Sequence, residues 1–383
     1  MKHIIIAQLL DRRERRIDRC SNMEVENILR MKEGVGECSY AKNSLLQRTM
    51  IAKAKPVLQE SIRGLYHALQ PECLMIADLG CSSGPNSLMV VSEIIDTIDE
   101  ERKNLNRKSP KFGVFLNDLQ GNDFNAIFNL LPSFYQSLKE KKDSDFGPCF
   151  VSGTPKSFYG SVFPDQFLHF VHSSYSVHWL SQVPRGLESR NGEALNKGNI
   201  YIAKTSPPEI AQAYYAQFKE DFTLFLRSRG KEMVPGGHMV LTLQGSVQRN
   251  DPDSLWELLG STLHTMVQEG VIEQEKLDRF NMPFYSPTAE EVKELVEAEG
   301  LFSVNKLETF KVDWSVDTNQ NLENRAKFVA NTIRAVTESL LTTAYGEAAM
   351  DDLFLRFSRM VKERMDQEQS EYLNIVVSMI KRD

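Results

Sequence analysis

The run Ile76-Ala77-Asp78-Leu79-Gly80-Cys81-Ser82-Ser83-Gly84-Pro85-Asn86 constrains this chain more than any other stretch. Leu74 to Ala77 is an apolar segment suited to a buried strand, and Asp78 stands at its carboxyl end, where open α/β sheets place ligands. Gly80 and Gly84 let backbone approach a ligand closely, and Pro85 suits the start of a following helix. The glycines read G-x-x-x-G. A dinucleotide fold would show G-x-G-x-x-G and a phosphate loop would close on Gly-Lys-Ser/Thr, and neither is present. The run therefore points to a nucleoside cofactor lacking a pyrophosphate, such as S-adenosylmethionine. A purely structural turn is the competing reading of the two glycines.

Strand and helix signals alternate around this run: a strand over 73–78, a helix over 85–102, a strand over 112–116, a helix after Asn122 and a strand over 149–152. That βαβαβ order predicts an α/β fold with a mostly parallel sheet, right-handed crossovers and helices on both faces. Residues 167–171 and 239–243 read as further strands flanking an amphipathic helix over 208–229, and 372–380 reads as a final strand returning to the sheet. Residues 252–300 and 324–366 carry helical spacing instead and are expected to roof the cofactor. The expected organisation is one domain over 23–383, with the sheet core in about 60–250, 301–312 and 370–383 and a helical cap in about 251–300 and 324–366. Residues 1–22 are expected to form a disordered extension, because their apolar stretch, 4–10, is too short to span a bilayer and runs directly into charge.

With 52 acidic against 45 basic residues and a net charge of −7, the chain lacks the basic excess that nucleic acid or an acidic membrane would require. Neither partner is expected. Cys20, Cys38, Cys73, Cys81 and Cys149 show no paired spacing, which fits reduced thiols in the cytoplasm.

Six motifs, in order along the chain, resemble the plant SABATH family of S-adenosylmethionine-dependent methyltransferases, which act on small carboxylic acids and, in one branch, on xanthine nitrogens. They are Ser39-Tyr40-Ala41-Lys42-Asn43-Ser44, the run through Gly80, Leu116-Asn117-Asp118-Leu119, Asn122-Asp123-Phe124-Asn125, Ser157-Phe158-Tyr159, and His172-Ser173-Ser174-Tyr175-Ser176-Val177-His178-Trp179-Leu180-Ser181-Gln182-Val183-Pro184. The resemblance implies a class I methyltransferase fold, a Rossmann-like sheet with a helical cap over the active site, and a homodimer. An acid after the second strand, as at Asp118, can accept hydrogen bonds from ribose hydroxyls, although it can also cap a turn. By resemblance Asp118 and Leu119 hold the ribose and adenine, with Ser157 and Phe158 beside the base. Tyr40, Asn43 and Ser44 fold across the cofactor, and Asp78, Gly80, Cys81, Asn86 and Ser173 complete its site. Plain roles compete for several of these: helix capping for Asn43 and Ser44, an inert thiol for Cys81, core packing for Phe158. The family usually has glycine where Lys156 stands, so a left-handed backbone there would strain the adjoining Ser157 and Phe158.

Methyl transfer to a carboxylate needs no general base, because the anion is already the nucleophile at neutral pH; positioning is then the main task. By resemblance Gln47 and Trp179 offer amide and indole N–H groups to the acid. His178 either bonds a substrate heteroatom or takes a proton from a xanthine nitrogen, against the plain reading of a satisfied structural histidine. Tyr175, Leu243, Leu255, Trp256, Tyr285, Ile333, Val336 and Tyr372 match pocket walls, with Tyr175 expected to shorten the cavity in favour of a flat ring. These residues point to methyl esters of benzoate or salicylate, with a xanthine alkaloid N-methyltransferase as the alternative. Asn196, Asp278, Phe280 and Asn281 match a structural magnesium set in relatives, with helix capping as the plainer possibility.

Overall fold

The computed structural model describes residues 25–33, 36–37, 39–248, 255–368 and 370–383. The extension expected over 1–22 lies outside the described residues, as do Cys20 and Cys38; Cys73, Cys81 and Cys149 carry free thiols. Seven strands build one sheet: β1 (Cys73–Leu79), β2 (Lys111–Asp118), β3 (Cys149–Pro155), β4 (Leu168–Ser174), β5 (Met233–Gly245), β6 (Phe302–Asp313) and β7 (Glu371–Lys381). Their order is β3-β2-β1-β4-β5-β7-β6. The first five are parallel, as the alternation predicts, and β7 runs antiparallel between β5 and β6.

Both faces of the sheet are covered, which is why its central strands read as apolar runs. Along β1 the two-residue period sends Leu74 and Ile76 into one core with Val57, Ile62, Val91 and Ile94, and Ala77 and Leu79 into another with Phe218, Phe222 and Phe225. The helices Leu45–Leu69 and Asn86–Asn104 cover the first face and Pro208–Glu232 lies against the second. Of the long helix Leu45–Leu69 only the start was anticipated, as the helix that Asn43 and Ser44 could cap. Pro56 stands in its middle, and an interior proline removes one helical hydrogen bond, so local pattern argued against an element that tertiary packing supports.

The two helical stretches are subdivided. Residues 252–300 give Leu255–Gln268, Gln274–Arg279 and Ala289–Glu299, the last opened by a reciprocal Thr288/Glu291 capping box. Residues 324–366 give Leu322–Tyr345 and Met350–Gln367, separated at Gly346, whose φ of 88° is left-handed. Among the described residues no helix is long and apolar enough to cross a membrane.

Candidate active site

The parallel strands end on one side of the sheet, and there the chain encloses a cavity of about 1020 Å³, counting its mouth. Strand ends supply Gly80, Asp118 and Ser174; Gln47 comes from the first turns of Leu45–Leu69, Trp256 from Leu255–Gln268, and Ile333 and Val336 from Leu322–Tyr345. Of the helices expected as a cap, Leu255–Gln268 and Leu322–Tyr345 thus line the cavity at the strand ends.

At the β1 end the turn is fixed by close approach. Gly80 has φ 75°, and a Cβ there would stand 2.1 Å from the Ser176 hydroxyl oxygen, so both conformation and space demand glycine. The N–H groups of Gly80 and Cys81 both donate to the Asn117 carbonyl at 2.9 Å. Asp118 then ties the turn to β2: its carboxylate accepts the Ser82 N–H at 2.7 Å and the Leu119 N–H at 2.8 Å. Burial pushes its pKa up to about 6, against the pull of those two N–H groups, and the nearby Asp78 raises it further. Tyr40 lies over the same turn, packed on Gly84, and burial pushes its phenol up, so it stays protonated. Lys156 is exposed and does not have a positive φ. The strain expected from a non-glycine residue there is absent: its N–H donates to the Asp118 carbonyl at 2.8 Å and its carbonyl accepts from Asn117 Nδ2 at 2.7 Å.

Ser157, Phe158 and Leu119 also line the cavity. Sequence reasoning did not find what holds that loop. Arg229 and Glu232, both fully buried, pair at 2.8 Å; Arg229 donates to the carbonyls of Phe158 at 3.0 Å and Gly160 at 2.8 Å, and Glu232 accepts the N–H groups of Val162 at 2.6 Å and Phe163 at 3.1 Å.

The other end of the cavity is aromatic. Residues 178–180 pair with 283–285 through an antiparallel bridge between Trp179 and Phe284, with Leu180 N–H donating to the Pro283 carbonyl at 2.8 Å and Tyr285 N–H to the His178 carbonyl at 2.9 Å. Phe284 sits at the centre, 5.3 Å from Trp179, 5.1 Å from Trp256 and 4.8 Å from His178, ring to ring. It was not anticipated, and only its place after the Met282-Pro283 turn hinted at a fixed position. Trp179 and Gln47 both line the cavity, and the buried Gln47 carboxamide oxygen has no hydrogen-bond partner among the described residues. Trp256 Nε1, Thr332 Oγ1 and Tyr372 Oη are likewise buried, unpartnered and on residues lining the cavity. His178 is different: its Nδ1 accepts the Gln244 N–H at 3.0 Å, and burial holds its pKa down to about 3, with the Tyr175 backbone opposing. At neutral pH it is uncharged and a poor proton acceptor.

Not every anticipated residue reaches the cavity. Asn43, Ser44, Asp78, Cys81, Asn86 and Ser173 stand behind the lining and brace it: Asn86 Nδ2 donates to the Ser44 carbonyl at 3.2 Å, Ser173 to the Leu79 carbonyl at 2.7 Å, and Asp78 pairs with His172 at 2.8 Å. Leu243 and Leu255 pack in the core, and Tyr285 turns its hydroxyl to the Glu291 carboxylate at 3.1 Å.

A model of S-adenosylmethionine-dependent carboxyl methyltransferases matches residues 26–382. The chain belongs to this family, the SABATH methyltransferases. It is 46% identical over 373 residues to a probable jasmonic acid carboxyl methyltransferase of Theobroma cacao, covering 94% of this chain and all of that one. It is 46% identical over 364 residues to a benzoic acid/salicylic acid carboxyl methyltransferase of Petunia hybrida, covering 94% of this chain and 99% of the relative. Among solved structures, loganic acid methyltransferase with SAH is similar at a TM-score of 0.79 and 31% identity, over 92% of this chain and 99% of that chain.

The SABATH cofactor, S-adenosylmethionine, fits the polar end of the cavity. Each Asp118 oxygen holds one backbone N–H and has a further lone pair open to a donor, and the Gly80 turn leaves no side chain in the way. A pH dependence follows. Between about pH 4 and 6 the folded carboxyl holds a proton that an unfolded one releases, so its contribution to stability falls as pH rises through that window. With the ribose on Asp118, as the family resemblance implies, cofactor affinity is expected to run the opposite way, since a protonated Asp118 loses an acceptor. Affinity for S-adenosylhomocysteine, measured by calorimetry, should weaken about tenfold between pH 7.5 and 5, the scale of one charge-assisted bond, and Asp118→Asn should flatten that profile. A wild-type profile already flat would remove Asp118 from the ribose site.

The magnesium set does not fit a divalent ion. Asn196 Nδ2 donates to Asn281 Oδ1 at 3.0 Å, Asn196 Oδ1 accepts from Ser206 at 2.7 Å, and Asp278 accepts from the Gly198 N–H at 2.9 Å and from Gln274 at 2.8 Å. Phe280, whose ring packs 5.4 Å from that of Tyr345, has only its backbone carbonyl to offer a cation. One carboxylate, with side-chain oxygens already accepting from protein donors, does not supply the convergent oxygens a hard cation needs. These bonds favour local bracing.

Proposed function

We propose that this chain forms methyl esters of small aromatic acids of the benzoate or salicylate type, with Gln47 and Trp179 positioning the acid. The observation that carries the reading is that Gln47 and Trp179, two uncharged side chains that each carry an N–H donor, line the same cavity as the Gly80 turn. Arg30, the single cation lining the cavity among the described residues, is exposed and pairs with Glu33 at 3.5 Å.

When bound, the cofactor supplies an electrophilic methyl group on a positively charged sulfur. A carboxylate would accept that methyl without giving up a proton, so the residues around it have only to hold and orient it. Gln47 and Trp179 hold the carboxylate through neutral donors, which orient it without quenching it in a tight ion pair. Orientation of this kind contributes about 7–11 kcal/mol at best. Trp256, Phe284, Ile333 and Val336 supply an apolar enclosure that excludes water from the reacting oxygen.

A second reading, N-methylation of a xanthine, draws support from the unpartnered Trp256 Nε1, Thr332 Oγ1 and Tyr372 Oη, which suit a heterocycle with several polar atoms. It is opposed by His178, which is held neutral with Nδ1 already engaged and is ill suited to take the xanthine proton. The test is transfer of radiolabelled methyl to benzoate, salicylate, nicotinate, jasmonate, indole-acetate and xanthines, followed by mild base. Base-labile product from the aromatic acids is expected. Base-stable product from xanthines alone would overturn the ester reading.

A further inference from the structure

We infer that Asn374 is a positioning residue that sets the length of acid the cavity accepts, by tethering the Tyr175 ring against the cavity; this rests on the ester reading above. Asn374 is fully buried on β7, in register with Gln244 of β5 and Phe310 of β6. Its neighbours on the strand, Ile375, Val376 and Val377, are apolar and buried, so a primary amide there has to satisfy its own polar atoms. It does so with three bonds. Its Oδ1 accepts the Tyr175 hydroxyl, and its Nδ2 donates to the Tyr372 carbonyl at 3.1 Å and the Phe310 carbonyl at 3.3 Å.

Two of those three partners belong to residues lining the cavity, Tyr175 and Tyr372. Tyr175 carries a second sign of constraint: its φ is 61°, a left-handed conformation rare for a residue with a large side chain. Its N–H donates to the Thr242 carbonyl at 2.8 Å, and its ring meets His178 edge to face at 5.2 Å. The backbone aims the ring and the amide holds its far end. Without the amide, the half-buried Tyr175 loses the acceptor for its hydroxyl and the ring is free to leave the cavity, which then admits a longer acid. Asn374 itself stands behind the cavity lining.

The test compares kcat/KM for benzoate and 4-propylbenzoate in wild type, Asn374→Leu, Tyr175→Phe and the double variant. Asn374→Leu removes the acceptor at similar volume, and Tyr175→Phe removes the donor while leaving Asn374 in place. The preference for benzoate should fall about tenfold in each single variant, the low end of what hydrophobic pockets achieve by size, and no further in the double variant. If Asn374→Leu does not fold, Tyr175→Phe alone decides. Equal loss on both acids, or an unchanged ratio in Tyr175→Phe, would overturn the tether. A wild type that esterifies neither acid would instead overturn the ester reading, and the tether with it.

Discussion

Replacing Trp179 with phenylalanine lowers kcat/KM for benzoate by about 10- to 100-fold, the range expected for one hydrogen bond to a charged acceptor. The substitution is narrow. Phenylalanine keeps an aromatic ring against Phe284 and Trp256, and the bridge that fixes residue 179 is made by backbone, so the main loss is a single N–H. Affinity for S-adenosylhomocysteine should stay within about twofold, because Trp179 stands at the aromatic end of the cavity and Asp118 at the other. Steady-state kinetics together with calorimetry separate the two effects. Unaltered turnover in the Phe variant would take Trp179 out of the clamp and leave Gln47 as the only candidate.

Arg229→Met lowers the melting temperature by about 4–6 °C, the expected consequence of about 3–5 kcal/mol lost from a chain of this length. The size of the effect comes from burial. Arg229 and Glu232 are both inaccessible to solvent, so removing the guanidinium leaves a carboxylate inside the protein with only the N–H groups of Val162 and Phe163 to balance it. The same guanidinium holds the carbonyls of Phe158 and Gly160, so cofactor affinity should drop with stability. Thermal denaturation with and without S-adenosylhomocysteine reads both. A melting temperature within about 1 °C of wild type would mean that water or a local shift neutralises Glu232.

What could be read from sequence was whatever a short window encodes. The strands announced themselves because a sheet covered on both faces selects continuous apolar runs, and the Gly80 turn because only glycine fits beside Ser176. The helix Leu45–Leu69 was obscured by Pro56, so Gln47 could be placed at the site only through family resemblance. Phe284, Gln244, Arg229 and Asn374 were invisible for another reason. Each acts through partners far along the chain: Phe284 through Trp179, Gln244 through the imidazole of His178, Arg229 through Phe158, and Asn374 through Tyr175. Their residue types are ordinary for a core, a strand or a helix end, and nothing nearby marks them. Conversely, Leu243 was expected by family resemblance to line the pocket, yet its neighbour Gln244 does so and Leu243 packs in the core, because adjacent residues of a strand face opposite sides.

The slot that β7 fills has an implication for biogenesis. Until residues 371–381 have left the ribosome, β5 presents an open hydrogen-bonding edge and β6 has no neighbour through which to join the sheet. Tyr372 and Asn374 arrive on that same closing strand. A chain that lacks this strand thus holds an unpaired sheet edge and a binding chamber without Tyr372 at once.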